Sequence, residues 1–158
     1  MDEIKKWINW VILEAREAGN PGEKPVLERI GHRCYQDSEM KGIAERLSKE
    51  FRQWPPEQGV VSFLEERFTA FSFTQTDSGF IVNLNNTSCY CPIVREGYTT
   101  NPNMCECTRS FDQTMYETIL FGADEQPGKI AVEVLDSLLL NKKSCRFKIT
   151  FLSKPFKR

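Results

Sequence analysis

The sequence predicts an α+β fold in which helices come first and strands follow, with four strands in all and one further helix set among them. Three observations carry this. The apolar period is 3.6 residues before Gly59 and changes to 2 after Phe68. A second helical stripe then separates the first pair of strands from the last pair, the segregated order of an α+β chain. Finally, 158 residues with eleven Phe, four Tyr and three Trp suit one core. Residues 1–158 therefore read as a single domain, with a helical half over 1–56 and the sheet, a cysteine loop and a helix over 57–158.

Taken in order, residues 3–18 place Ile4, Trp7, Ile8, Val11, Ile12 and Ala15 at helical spacing, with Asp2 to cap and Gly19 to stop. Pro21 and Gly22 break the chain. Pro25 suits the first turn of a second helix carrying Val26, Leu27, Ile30 and Cys34 on one side. A third helix over Glu39–Gln53 has the apolar set Met40, Ile43, Ala44, Leu47 and Phe51, and Trp54-Pro55-Pro56 ends it because proline lacks an N–H and restricts its predecessor. After a helical turn around Phe63–Phe68, the runs from Phe71 to Thr76 and Phe80 to Leu84 flank Asp77-Ser78-Gly79 as a β-hairpin. Asn85 to Cys107 reads as a loop, too long to be an idle connection. Thr108 can cap a helix to about Phe121, with Phe111, Met115 and Ile119 on one face and Gly122 beyond its end. Lys129–Leu138 and Ser144–Leu152 give two more strands.

The formal net charge of −1 argues against a protein that coats nucleic acid, since counterion release needs clustered Lys and Arg. The charge is uneven. Residues 142–158 hold seven basic groups and no acidic one, which reads as a solvated strand and tail. Neither a signal peptide nor an apolar run long enough to cross a bilayer is evident, so a cytoplasmic location is expected. In that compartment six cysteines are thiols, metal ligands or reactive groups before they are a disulfide framework.

The informative constellation is Cys89-Tyr90-Cys91-Pro92 and Cys105-Glu106-Cys107-Thr108, with thirteen residues, Pro92 to Met104, between Cys91 and Cys105. Two Cys-x-Cys pairs could bring four sulfurs to a zinc ion, although on extended chain the two sulfurs of a pair lie roughly 7 Å apart on one face, a looser fit than Cys-x₂-Cys. Cysteines lining a core or pocket are the alternative. A third use is nucleophilic. Cys105 and Cys107 lie just before the expected helix start, whose free N–H groups and partial positive charge would lower a thiol pKa, Cys107 more than Cys105. Arg109 could add to that field or grip a carboxylate. Pro92 places Cys89 and Cys91 on extended chain.

His32 is the single histidine, so any Cys–His catalysis within one chain must use it. Two residues from Cys34 on a helix, it points about 200° away from that thiol and cannot pair with it. Cys34 falls on the Val26–Ile30 face, and Cys145 alternates with Phe147, Ile149 and Phe151 on the apolar face of the last strand. Asp112, Glu117, Glu133 and Asp136 offer carboxylates that spacing alone does not single out.

The order Gly31-His32-Arg33-Cys34, Cys89-Tyr90-Cys91-Pro92, Cys105-Glu106-Cys107-Thr108, Val134-Leu135-Asp136-Ser137 and Cys145-Arg146-Phe147 resembles an uncharacterised bacterial family of small cysteine-containing proteins. That family is similar to the L-2-amino-thiazoline-4-carboxylic acid hydrolase family and, more remotely, to four-vinyl reductase domains. The resemblance covers residues 25–152. It implies a helical half packed on a four-stranded, mainly antiparallel sheet, a cavity suited to a small organic molecule, and hydrolysis of a ring C–N or C–S bond. Ile30 stands where that family has a further cysteine, and Ser110-Phe111 where it has Gly-Trp, which puts a close backbone approach at that point in doubt.

Two functions follow as expectations. One is a small-molecule-binding protein, with or without hydrolase activity and needing no cofactor, whose pocket lies where loop 85–107 meets the helical half. Cys107 or Cys105 would be the nucleophile or polar anchor, Arg109 would hold an acidic group, and Tyr90 and Tyr98 would form walls. The other is a non-enzymatic zinc domain held by Cys89, Cys91, Cys105 and Cys107. The expected partner is a small-molecule ligand, with no nucleic acid and no membrane, and a homodimer stays open.

Overall fold

The structure, a computed structural model, describes Ile4, Trp7, Trp10, Val11 and residues 23–124 and 127–155. It is α+β. Helices α1 (Glu23–Gln36) and α2 (Glu39–Gln53), a 3₁₀ turn at Pro56–Gln58 and α3 (Gly59–Arg67) precede the hairpin β1 (Ser72–Thr76) and β2 (Gly79–Asn83). The short α4 (Pro92–Arg95) and the long α5 (Cys105–Phe121) lead to β3 (Ile130–Asp136) and β4 (Arg146–Phe151). The four strands form one antiparallel sheet in the order β1-β2-β4-β3, in register at Phe73↔Val82, Val82↔Phe147 and Val132↔Ile149.

Period-2 alternation gives the sheet two unlike faces. Phe73, Phe80, Val82, Phe147, Ile149, Ile130 and Val132 are buried on one, while Thr74, Lys148 and Glu133 occupy the other. Helix α5 covers the apolar face with Met115, Tyr116, Ile119 and Leu120, and α1 and α2 in turn lie along α5. The helical half thus meets the sheet largely through α5, with Ala44, Leu47 and Phe51 of α2 joining the same core. A second, smaller core gathers Leu27, Ile30, Ile93, Met104 and Cys107 with Ile4, Trp7, Trp10 and Val11.

Several expected boundaries move. Ile4, Trp7, Trp10 and Val11 are helical, as the 3–18 stripe requires, while Ile8, Ile12, Ala15 and the Asp2 and Gly19 signals lie outside the described residues. Loop 85–107 is not wholly irregular. Pro92 opens a one-turn helix, and Asn101 accepts a hydrogen bond from the Asn103 N–H to start a 3₁₀ turn at Pro102–Met104. That earlier cap displaces Thr108, so α5 begins at Cys105 and carries both cysteines in its first turn. Gly122, at φ 101°, ends α5 where expected. The strand expected to reach Leu138 stops at Asp136, because Ser137 Oγ accepts the Leu139 N–H and caps a further 3₁₀ turn. Of the basic segment, Arg146 pairs with Asp136 at 2.9 Å. Lys157 and Arg158 lie outside the described residues.

Candidate functional site

A cavity of about 530 Å³ opens at the seam between the two cores. Ile30, Gly31 and Cys34 of α1 form one side and Cys107, Thr108, Phe111, Asp112 and Met115 of α5 the other. Trp7 and Trp10, the exposed Asp37 with Ser38 between α1 and α2, Met40 of α2, Phe68 and Phe71 after α3, Leu84 after β2, and Tyr90, Cys91, Pro92 and Arg95 from the cysteine loop complete the wall. The aromatic rings brace one another. Phe71 meets Tyr90 edge-on at 6.1 Å and stacks on Phe68 at 5.9 Å, and Phe111 meets Tyr35 edge-on at 5.6 Å.

The six cysteines are all reduced and belong to one neighbourhood. The Cys107 thiol feels Cys91, Cys34 and Cys105, and the Cys89 thiol feels Cys91, Cys145 and Cys105. Only Cys34, Cys91 and Cys107 reach the cavity wall. Cys105 instead exchanges a 2.9 Å hydrogen bond with Ser137, which is 1% exposed. Cys145 joins the main core, its N–H donating to Asn86. Among the described residues no group of three or more His, Cys, Asp or Glu side chains converges as metal ligands.

The expectation that the helix start lowers the cysteine pKa is reversed. Burial pushes the Cys107 thiol far up, pushes Cys105 up despite its bond to Ser137, and pushes Cys89 up to about 11. A helix terminus is worth about 0.3–1 kcal/mol to a charge, and desolvation of a buried thiolate exceeds it. Arg109 also falls elsewhere than expected. It is held by Glu106 at 2.7 Å and Glu28 at 3.4 Å, and it is not part of the cavity wall. Tyr90 lines the cavity, whereas Tyr98, 66% exposed, stands away from it. His32 faces the opposite side of α1 from Cys34, with Nδ1 3.2 Å from Thr114 Oγ1.

The residue that sequence reasoning left unselected is Asp112. It is 7% exposed, lies on the cavity wall, and its Oδ2 meets no hydrogen-bond donor among the described residues. Burial alone raises its carboxyl to about 8. The signal was present, since Asp112 stands three, four and seven residues before Met115, Tyr116 and Ile119, and so puts a carboxylate inside the buried stripe of α5. Trp7 Nε1, also on the cavity wall, is a second buried polar atom without a partner. No protein-family model and no curated protein matches this chain, and among the described residues no helix is long and apolar enough to cross a membrane.

Proposed function

We propose that this chain is a small-molecule-binding protein whose ligand occupies the cavity between α1, α5 and the cysteine loop. The observation that carries the reading is the cavity itself: about 530 Å³, walled by aromatic and aliphatic side chains, with two unpartnered polar atoms among them. That size and that mixture of apolar wall and few polar groups are those of ligand sites. The hydrolytic activity implied by the resemblance would need an activated group, and Cys105 and Cys107, both raised, do not supply a thiolate nucleophile. Binding is therefore the function proposed, in the cytoplasmic setting expected of a reduced six-cysteine chain.

The test is thermal unfolding in the presence of uncharged aromatic probes such as indole and naphthalene, repeated on Cys34→Phe, which fills the cavity from α1. Saturable stabilisation of the natural chain, lost in Cys34→Phe while the variant still unfolds cooperatively, supports the site. Absence of stabilisation by any probe overturns it.

A further inference from the structure

Building on that ligand site, the geometry points to an organic monocation as its occupant: a protonated amine on an apolar body, its N–H donating to Oδ2 of Asp112. The inference narrows the binding reading and rests on it.

Three observations converge. Oδ2 of Asp112 is buried on the wall of the cavity and meets no donor, and buried polar groups are satisfied in nearly every folded protein. Arg95, on the cavity wall, pairs with Glu96 at 3.5 Å, and Arg109, outside the wall, pairs with Glu106 at 2.7 Å. Six aromatic rings, those of Trp7, Trp10, Phe68, Phe71, Tyr90 and Phe111, line the same space, and the faces of such rings attract cations. A carboxyl set among aromatic rings suits a nitrogen cation with an apolar body. A hard metal ion would need six or more oxygen ligands, and one buried carboxyl cannot supply them.

The protons balance simply. Because burial holds the empty-site carboxyl protonated up to about pH 8, an ammonium that binds at pH 7 and pairs with the carboxylate releases the Asp112 proton to buffer. A neutral analogue releases none.

Two probes of nearly equal shape decide the matter, 2-phenylethylamine and 2-phenylethanol, titrated calorimetrically at pH 7 in two buffers of different ionisation enthalpy. The amine is expected to bind at least tenfold more tightly than the alcohol and to release close to one proton per chain. Asp112→Asn is expected to bring the affinities for the amine and the alcohol within a few fold of each other. Equal affinities, or a preference retained in Asp112→Asn, overturns the monocation while leaving the ligand site standing, and failure of both probes to bind overturns the two together. Should Asp112→Asn not fold, proton release by the natural chain decides, and its absence on amine binding counts against the proposal.

Discussion

Gly31 packs its bare Cα against the backbone of Cys107, so close that a Cβ there would collide with the Cys107 carbonyl oxygen and stand 3.0 Å from its Cα. This contact sets the spacing of α1 and α5, and with it the width of the cavity that both helices line. The close approach lies one turn before Ser110, where the departure from the Gly-Trp pattern had put such an approach in doubt.

Gly31→Ala therefore forces two backbones apart. An expected loss of about 1–3 kcal/mol, the usual cost of overpacking, should appear in urea unfolding. Gly42→Ala is the control. Nothing lies within 4 Å of a Cβ at Gly42, within α2, so that substitution should stabilise by about 0.5–1 kcal/mol.

Asp112 makes stability depend on pH with a definite sign. Its carboxyl is raised by burial from 3.8 to about 8, so between those values the folded chain keeps a proton that the unfolded chain has lost. The contribution is whole below about pH 4, falls as pH rises through the window, and is gone above about pH 8. At roughly 1.4 kcal/mol per pKa unit its full size is on the order of 6 kcal/mol. Denaturant unfolding from pH 4 to 8 should show the fall in the natural chain and a flatter profile in Asp112→Asn. Parallel profiles would contradict the assignment.

Thiol chemistry should follow burial instead of the helix terminus. With Cys89 at about 11, its thiolate at pH 7.5 is roughly a hundredfold scarcer than in a model thiol, and Cys105 and Cys107 are raised as well. Mass-spectrometric mapping after brief iodoacetamide treatment should find these three unmodified in the folded chain and modified in urea. Rapid labelling of Cys107 in the folded chain would restore the nucleophile reading.

Much of the fold was legible because it depends on local period and punctuation. The stripe Ala44, Leu47, Phe51 and the stops at Trp54-Pro55 and Gly122 act within one element. Loop 85–107 was harder, since Asn101 and Thr108 are both competent caps, and the choice between them is made by Met104 and Cys107 packing onto Leu27 and Ile30. The site was legible only in outline. The gathering of thiols followed from their density in one loop, but which of them face a cavity is set by α1 crossing α5 at Gly31, a contact between residues 76 positions apart. Asp112 could have been singled out by asking why a carboxylate stands in an apolar stripe, yet that its Oδ2 meets no donor among the described residues is a property of the packed helices alone.

The zinc alternative makes its own prediction. Four converging thiolates would bind one zinc per chain and lose the fold with it. Because no three candidate ligands converge among the described residues, the protein equilibrated with one equivalent of zinc and then treated with EDTA should keep its melting temperature within about 1 °C, under the roughly 2–4 °C shift that a loss of 1 kcal/mol gives a chain this size. Stoichiometric zinc that survives dialysis, and unfolding on its removal, would favour the metal site.

A ligand that enters the seam between the two cores is read directly by methionine methyl NMR. Met40 and Met115 line the cavity, while Met104 is buried in the smaller core and does not. On titration with 2-phenylethanol, the ¹³C-methyl signals of Met40 and Met115 should shift together and saturate, with Met104 moving far less. Signals that stay fixed, or a shift centred on Met104, would mean that no ligand occupies this cavity.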